Sequence, residues 1–474
     1  MLFSSPIFLF LFLPLVLFVY FLTPKKFKNF TLLAFSLVFY TWGEKELVLL
    51  ILLSAAVDYI SGLIISKGKR KLGLYISITF NISILLYFKY ANFISSNLIS
   101  LLEGFNMSPE GALNFSNIAL PIGISFYTFQ TMSYTIDVYR GQVKACKNFI
   151  DFATYVTLFP QLIAGPIVRY AVIEKELKSR TVTTSLFYEG VERFIIGLSK
   201  KMIIANNCAV LADAIFNLPP SESSMLIAWL GTIVYSFQIY FDFSGYSDMA
   251  IGLGKMFGFN FPENFNYPYI SKSIREFWRR WHITLSNWFK DYLYISLGGS
   301  REGKWRTYTN LIIVFFVTGL WHGANWTFIF WGLFHGLFII IEWNFKDTDS
   351  KRPAFLSHLY FLFVLNISWV FFRNDTMTDA FHYLMTMFNF SLETNTAFLN
   401  FYLTKEMLIV LFAALLLSTP IYKKIVSGVF NSNLTSGTKN MFLPLKLIGL
   451  FILLFICFTY IATDSYNPFI YFRF

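Results

Sequence analysis

Long uncharged stretches alternate with short polar or basic segments along the whole chain. The first stretch runs from Leu2 to Leu22 without a charged residue. At about 1.5 Å of rise per residue, such a helix crosses the roughly 30 Å hydrocarbon core of a bilayer. Further apolar runs cover about 30–42, 46–66, 72–95, 119–136, 152–168, 186–215, 225–241, 311–341, 356–372, 406–420 and 447–463. The pattern predicts an all-α integral membrane protein with about ten or more spanning helices.

One run is too long for a single straight span. The stretch from Leu311 to Ile341 carries no charge for 31 positions, and as one helix it would be about 46 Å long. We therefore expect a break, and four glycines supply break or close-packing points: Gly319, Gly323, Gly332 and Gly336. Non-helical backbone at membrane depth is tolerated only where protein or a water-filled cavity covers it. The polar residues there are thus candidates for lining an internal cavity: Thr318, His322 and Asn325.

Basic clusters predict the orientation of the first helices. Cytoplasmic loops of membrane proteins are enriched in lysine and arginine. The Lys25–Lys28 segment and the cluster at Lys67–Lys71 are therefore expected in the cytoplasm, with an outward-facing turn near Trp42–Lys45 between them. The same rule places the tail from Asp464 onward outside the cell.

Composition narrows the class of protein. Hydrophobic residues make up 56% of the chain and charged residues 14%, against roughly 25% charged in soluble domains. The net charge of +11 comes from lysines and arginines in short loops, which suits topology and lipid headgroups and predicts no nucleic-acid partner. Neither linker nor internal repeat divides the sequence, so we expect one membrane domain over 1–474.

The cysteine and histidine spacings predict no metal site. Three cysteines show neither CxxC pairing nor ligand spacing, and the five histidines contain no HExxH motif. No permanently bound cofactor is expected.

A histidine near the middle of an apolar run is the most informative residue. An ionisable side chain at that depth is costly and usually faces the interior of a helix bundle. His322 fits this description. It is either a functional residue or a neutral histidine hydrogen-bonded to a neighbouring helix.

A second histidine, His282, lies in a segment where bulky aromatics alternate with cations, SIREFWRRWHITLSNWFKDY from Ser273. Its tryptophans could seat the segment at the headgroup level: Trp278, Trp281 and Trp288. Its cations could touch lipid phosphates or bind a phosphorylated donor: Arg275, Arg279, Arg280 and Lys290.

Two carboxylates follow directly after the uncharged run 225–241. Asp242 and Asp248 need partners at that depth. We expect them to pair with the arginines near Arg279 and to have a structural role.

Five strings in this order resemble the membrane-bound O-acyltransferase superfamily, and within it the bacterial alginate O-acetyltransferase-like branch. They are LPIGISFYTFQ from Leu120, FPQLIAGPI from Phe159, DFSGYSD from Asp242, FWRRWH from Phe277 and GLWHGANW from Gly319. Each is weak alone, but five in register are specific. The resemblance implies a polytopic helical bundle with re-entrant or broken helices around a central tunnel, in a bacterial cytoplasmic membrane.

The resemblance also implies roles for individual residues. His322 would be the general base, His282 would donate to the developing oxyanion or orient the donor, and Asn325 would assist. Acetyl-CoA would be the acyl-donor substrate, entering from the cytoplasm. The cations Arg275, Arg279, Arg280, Lys290 and Lys304 would then be candidates for binding its phosphates. The implied acceptor is an extracytoplasmic polysaccharide, reached with an SGNH-type partner acetyltransferase of Ser-His-Asp chemistry.

The tail 464–474 ends in NPFIYFRF. It is similar to the carboxy-terminal motif of the small membrane protein in bacterial D-alanylation systems, in which a tyrosine hydroxyl is implied to carry the acyl group briefly. Tyr471 would have that role here. The alternative is that its aromatic residues anchor the tail at the membrane interface.

Two other functions compete with polysaccharide O-acetylation. D-Alanyl transfer to teichoic acid would require a thioester-linked carrier protein instead of free coenzyme. A secondary transporter or flippase would also use broken helices and polar residues at membrane depth.

Overall fold

The computed structural model describes residues 1–107, 118–219, 222–345, 353–390, 395–424 and 436–463. These residues form helices and no β-strand, which agrees with the predicted all-α architecture. The first half contains α1 (Leu13–Leu22), α2 (Lys28–Glu44), α3 (Val48–Ser66), α4 (Arg70–Leu85), α5 (Ala91–Gly104), α6 (Ile124–Arg140), α7 (Phe149–Thr157), α8 (Phe159–Leu162), α9 (Tyr170–Lys178), α10 (Thr184–Ser199) and α11 (Asn206–Phe216).

The second half begins with the longest helix, α12 (Met225–Met256). It continues with α13 (Ile274–Arg280), α14 (Ile283–Trp288), α15 (Lys304–His322), α16 (Trp326–Asn344), α17 (Ala354–Arg373), α18 (Met377–Met387), α19 (Thr396–Tyr402), α20 (Lys405–Leu417) and α21 (Ser436–Ala462). Wide π-helical turns interrupt the regular helices at Phe8–Phe12, Leu86–Tyr90, Lys200–Ala205 and Phe289–Tyr294.

Seven helical stretches in the described ranges are long and apolar enough to cross a bilayer. They are Lys25–Ser66, Arg70–Gly104, Thr184–Phe216, Met225–Met256, Trp326–Asn344, Ala354–Arg373 and Pro444–Ala462. The pair α19 and α20, bent by 77°, makes an eighth if it is taken as one span. The number is lower than the ten or more predicted, because adjacent apolar runs join into continuous stretches and other runs form shorter buried helices.

The stretch Lys25–Ser66 folds back on itself. As one straight helix its 42 residues would extend about 63 Å, twice the hydrocarbon thickness. A positive φ of 47° at Lys45 divides it. Both arms reach the segment around the start of α7, since Asn29 donates to Asp151 (2.6 Å) and the Tyr59 hydroxyl donates to the Lys147 carbonyl (2.9 Å). The turn near Trp42–Lys45 therefore lies at the opposite end of the bundle from both basic clusters.

A buried carboxylate joins three of the first helices. Asp58 on α3 is fully buried and accepts hydrogen bonds from Ser77 and Asn81 of α4 and from Thr135 of α6. The Asn81 and Thr135 bonds are both 2.8 Å long. Neutral donors on two neighbouring helices thus satisfy a group that lipid could not solvate.

The two carboxylates of α12 have partners that differ from those predicted. Asp242 pairs with Lys201 at 2.7 Å, and both side chains are buried. Asp248 pairs with Arg193 at 2.6 Å and with Lys200 at 2.7 Å. The expectation that arginines near Arg279 would pair with them was wrong, because α10 and the π-helical turn after it pack along α12 and bring their own cations. The role is structural, as expected.

The tryptophans of the aromatic segment are not at a lipid interface. Trp278, Trp281 and Trp288 are all buried. The Trp288 ring stacks on Phe129 with centroids 3.8 Å apart, and Trp281 packs against Trp369 at 5.4 Å. The headgroup-level prediction for these rings was therefore wrong, because neighbouring helices cover the segment.

The predicted break in the long apolar run is present. The first arm, α15, ends at His322; Gly323–Asn325 are extended or irregular, and α16 starts at Trp326. Close packing also occurs where the glycines predicted it. A Cβ on Gly332 would collide with the Phe315 carbonyl oxygen, and a Cβ on Gly319 would collide with that of Phe328. The two backbones of this hairpin are in direct contact.

This contact predicts a strong stability effect at Gly332. Gly332→Ala forces the two backbones apart and should destabilise the protein by about 1–3 kcal/mol, as overpacking typically does. Gly449→Ala is the matched control, because a Cβ there meets nothing within 4 Å. The measurement is the thermal midpoint of each purified protein in detergent. Equal midpoints for the two variants would contradict direct backbone packing in the hairpin.

Candidate active site

The bundle has two ends that differ in charge. At one end, Arg70 donates to the Tyr139 carbonyl, and Arg140 donates to Ser296 Oγ at 2.9 Å, close to the start of α15. We call this end the basic face. At the other end, the Tyr40 hydroxyl donates to the Ile122 carbonyl at 3.0 Å, beside the turn at 42–45. We call this end the opposite face; it is the one that the charge pattern predicts to be outward.

His322 lies toward the opposite face. It is the last residue of α15, 18 residues after Lys304, which corresponds to about 27 Å along the helix axis. Its side chain is only 2% exposed. Trp331 and Phe372 enclose the imidazole, with ring centroids 4.9 and 5.3 Å away.

The structure brings the two predicted histidines together around one tryptophan. The Trp321 ring lies 5.0 Å from the His322 ring and 5.9 Å from the His282 ring. Phe126 from α6 packs against the same tryptophan at 5.2 Å. Residues 40 positions apart in sequence therefore share one aromatic wall, and both imidazoles are shielded from water.

Asn264 fixes the orientation and tautomer of His282. The Thr284 backbone N–H and hydroxyl both donate to Asn264 Oδ1, which identifies that atom as the oxygen. His282 Nδ1 lies 3.0 Å from the same oxygen, so Nδ1 carries the proton and Nε2 carries a lone pair. His282 itself has a positive φ of 41°. It lies between the candidate spans, and burial lowers its pKa to about 3, so the ring is neutral.

A third buried histidine was not singled out from the sequence. His335 on α16 is completely buried, and its Nδ1 accepts from Trp278 Nε1 at 3.3 Å. Its proton is therefore on Nε2. Trp331 lies between the two histidines of this hairpin, 5.0 Å from His335 and 4.9 Å from His322. A lone histidine inside an apolar helix was a usable signal that the sequence analysis left aside.

Several buried ring nitrogens near this group have no hydrogen-bond partner among the described residues. They are Nε2 of His282, Nε2 of His335 and Nε1 of Trp331. Buried polar groups in folded proteins are almost always hydrogen-bonded. Three such atoms in one aromatic cluster indicate a place where a polar ligand group could bind.

Asn325 is engaged in structural contacts. It is the N-cap of α16: its Oδ1 accepts from the Thr327 backbone N–H at 3.1 Å, and its Nδ2 donates to the Asp375 carbonyl at 2.7 Å. Thr318 donates to the Val314 carbonyl at 2.7 Å. Trp321, the neighbour of His322 in sequence, lines the cavity of about 70 Å³ at this end of the bundle.

A second cavity of about 200 Å³ lies toward the basic face, and of the predicted donor-binding cations Arg275 is tied to it through Glu342. Glu342 lines this cavity and caps α13, accepting from the backbone N–H groups of Ile274 (2.6 Å) and Arg275 (3.0 Å). Arg279 and Lys290 are exposed. Arg280 is paired with Glu276 at 2.9 Å. One buried guanidinium nitrogen of Arg275 has no acceptor in the described part of the chain.

Lys89 is a further site residue that the sequence analysis missed. It lies in the π-helical turn Leu86–Tyr90 and is 7% exposed. Its Nζ donates to the Trp321 carbonyl at 2.5 Å, and the Tyr90 hydroxyl donates to the Leu320 carbonyl at 2.8 Å. Two neighbouring side chains thus cap the carbonyl end of the helix that carries His322. A single lysine inside the apolar run 72–95 was the available signal.

Tyr471, predicted as an acyl carrier, lies outside the described residues. Among the described residues, no group of three or more His, Cys, Asp or Glu side chains is arranged to hold a metal ion.

The sequence matches the model of the membrane-bound O-acyltransferase family over residues 76–346. It is 46% identical over 396 residues to the probable alginate O-acetylase AlgI of Azotobacter vinelandii, covering 82% of this chain and 78% of that protein. It is 38% identical over 429 residues to the peptidoglycan O-acetyltransferase of Helicobacter pylori, covering 82% of this chain and 80% of that protein.

The likeness to a D-alanylating enzyme is shorter. The teichoic acid D-alanyltransferase of Bacillus subtilis is 32% identical over 251 residues, which cover 51% of this chain and 63% of that protein.

The hydrogen bonds around His282 predict that Asn264→Ala slows acyl transfer about 10-fold or more, because the neutral imidazole loses the group that fixes its tautomer. Asn266→Ala is the control, since that side chain lies in the same loop and is exposed. The measurement is the initial rate at saturating donor, with the thermal midpoint recorded for each protein. A wild-type rate in Asn264→Ala would contradict a role of His282 in the reaction.

Proposed function

This chain belongs to the membrane-bound O-acyltransferase family, and we propose that it O-acetylates an extracytoplasmic polysaccharide, using acetyl-CoA as the acyl donor. It is a multi-pass membrane O-acyltransferase. Relatives that match over most of its length are named as acetylases of alginate and of peptidoglycan. The D-alanyltransferase matches only about half of the chain. This difference in coverage favours acetyl over D-alanyl transfer.

The observation that carries the proposal is the buried histidine cluster around Trp321. An alcohol at neutral pH is a poor nucleophile toward a thioester, and a positioned imidazole can accept its proton as the new bond forms. In the proposed step the acceptor hydroxyl attacks the acetyl carbonyl carbon and His322 takes the hydroxyl proton. The tetrahedral intermediate then expels the coenzyme thiolate, which takes up a proton to leave as the thiol. A general base of this kind contributes about 10²–10⁴-fold.

His282 has a more restricted part in this proposal than the resemblance implied. Its neutral tautomer presents a lone pair at Nε2 and no N–H there. It can therefore accept a hydrogen bond from a substrate hydroxyl or amide but cannot donate to an oxyanion from that atom. Nε2 of His335 and Nε1 of Trp331 carry the N–H groups of the cluster. We assign the orienting role to His282 and the donor role to these two side chains.

The donor would enter from the basic face. The second cavity lies on that side, beside Glu342 and Ser273. Our candidates for the coenzyme phosphates are the exposed Arg279 and Lys290 and also Arg275, one of whose buried nitrogens has no acceptor among the described residues. Arg280 is a weaker candidate, because Glu276 already neutralises it. The acceptor would approach from the opposite face, in a bacterial cytoplasmic membrane and with an SGNH-type partner enzyme.

His322→Ala and His322→Gln should each lower release of free thiol from acetyl-CoA, and glycan acetylation, by at least about 10²-fold, because the general base is lost. Expression and thermal midpoint should stay near wild type. His382→Ala is the matched control, because that histidine is exposed. The assay uses purified protein in detergent or vesicles. Normal turnover in either His322 variant would refute the assignment, and turnover of a D-alanyl carrier thioester in place of acetyl-CoA would support the alternative activity.

We also propose that the hydroxyl that attacks the thioester at the histidine site is that of Tyr471, and that the resulting phenyl ester then passes its acetyl group to a serine hydroxyl of the partner, which releases the phenol. A phenyl ester is more activated than an alkyl ester, because phenoxide, with a pKa of about 10, is the better leaving group. Onward transfer to a serine hydroxyl is then downhill.

Tyr471→Phe keeps the ring that would anchor the tail and removes only the hydroxyl. It should abolish glycan acetylation while leaving membrane insertion unchanged. Mass spectrometry of the trapped wild-type enzyme should find acetyl on the terminal peptide. A wild-type acetylation rate in Tyr471→Phe, together with an unmodified terminal peptide, would rule out the relay and require the acceptor to reach His322 directly.

A further inference from the structure

Lys89 is a buried cation whose partners carry no charge. Its Nζ donates to Ser125 Oγ at 3.0 Å and to the Trp321 carbonyl at 2.5 Å. Neither acceptor is a carboxylate. An ammonium group has three N–H donors, so one remains without a hydrogen-bond acceptor among the described residues, apart from the face of the Trp321 ring 5.8 Å away. A charge buried at this depth is costly, and an opposite charge bound beside it would lower that cost.

The ammonium borders a cavity of about 70 Å³ on the opposite face. The lining comes from Lys89, Leu120–Phe126, Ile163 and Trp321. One water needs roughly 10–15 Å³ measured in this way, so the cavity holds a group of several heavy atoms. It is too small for a whole sugar.

The start of α6 adds a second cationic element to the same cavity. Gly123, with a φ of +77°, precedes the helix, and no side chain caps its first turn. The Ile124 and Phe126 N–H groups already donate to the Pro121 and Gly123 carbonyls, at 3.2 and 2.9 Å, so the terminus acts through the helix dipole, which places partial positive charge there. This helix has 17 residues and is almost entirely buried. Its amino terminus and Lys89 line the same cavity and both favour an anion in it.

The cavity lies at the other end of the bundle from the residues proposed to bind the donor. The candidate phosphate ligands lie toward the basic face, whereas this cavity lies beside Ile122, whose carbonyl accepts from Tyr40 near the predicted outward turn. Trp321 forms one wall of the cavity and also contacts the rings of His282 and His322. A group bound here would be next to the histidine site on the side of the acceptor.

We propose that Lys89, Ser125 and the amino terminus of α6 form a subsite for a carboxylate. One ammonium group and one helix terminus match the single charge and two oxygens of a carboxylate. Two sources share this chemistry: an acidic sugar of the acceptor, or acetate released when the acetyl group is lost to water. The choice between these sources rests on the proposed function, but the carboxylate site itself does not.

Lys89 also caps α15. If capping were its only role, removing another cap of the same helix would weaken anion binding as much as removing Lys89. Tyr90 caps the same helix end without contributing charge, through its bond to the Leu320 carbonyl. Tyr90→Phe therefore removes a cap and keeps the cation. Lys89→Met removes both, and Lys89→Arg keeps the charge.

The test is a titration of the full chain in detergent with trifluoroacetate, followed by ¹⁹F NMR, with trifluoroethanol as the uncharged probe. Wild type and Tyr90→Phe should bind trifluoroacetate saturably and should not bind trifluoroethanol. Lys89→Met should weaken binding at least about 10-fold, and Lys89→Arg should restore most of it. Absence of saturable binding to folded wild type, or equal binding by wild type and Lys89→Met, would overturn the proposal.

If Lys89→Met fails to fold, Ser125→Asp supplies the decisive variant. It places a carboxylate next to Lys89 and should abolish trifluoroacetate binding while preserving the thermal midpoint. Unchanged binding in a folded Ser125→Asp protein would equally overturn the subsite.

Competition identifies the source of the carboxylate. Displacement by D-glucuronate indicates an acidic acceptor, and displacement by acetate alone indicates the hydrolysis product. Displacement by neither would refute a carboxylate site. His322→Ala should bind trifluoroacetate as wild type does, because binding needs no turnover. A protein that binds the probe but never consumes acetyl-CoA would therefore refute the proposed function and leave the subsite intact.

Discussion

The direct contact between the backbones of α15 and α16 determines where the candidate site can form. Gly319 and Gly332 lack the Cβ atoms that would hold the helices apart, so the hairpin closes without intervening side chains. His322 ends one arm, and Trp331 and His335 project from the other. Close packing of small residues is the main source of helix association in a bilayer, where apolar surface gains nothing from leaving lipid. The same contact therefore supplies both stability and the spacing of the rings.

Buried charged side chains link the other helices of the bundle to one another. Asp58 is held by neutral donors from two neighbouring helices, and Asp242 is matched by a buried lysine. Each arrangement joins elements that are distant in sequence, because an unsatisfied group at this depth is expensive. Lys89 also contacts uncharged groups, namely a hydroxyl, a carbonyl and the Trp321 ring, and in addition it borders a cavity. This position beside a cavity, together with its capping of α15, is why Lys89 is the residue proposed to bind an anion.

Local sequence patterns predicted the structural features that depend on neighbouring residues in the chain. The excess length of the run 311–341 indicated a break, and the hairpin turns there. The partners of Asp242 were not predictable, because any of several basic segments could have supplied them and only packing selects Lys201. The tryptophans near His282 suit a lipid interface and a protein core equally well in sequence, and the surrounding helices decide between the two. Lys89 was missed because one cation among aromatic residues hardly changes the hydropathy of its run.

If His322 is the general base for a coenzyme thioester, as proposed, its depth would limit which donors can react. A thioester that arrives from the basic face has to bring its acyl carbon nearly the length of α15, about 27 Å, to reach the imidazole. Small activated acyl compounds lack a long linker between the acyl group and a charged end. They could not place their carbonyl at that depth while the charged end stays in water. Selectivity for the donor would then depend on the length of the donor molecule rather than on recognition of its acyl group. The length of α15 would therefore exclude short donors from the reaction and prevent their hydrolysis at this site.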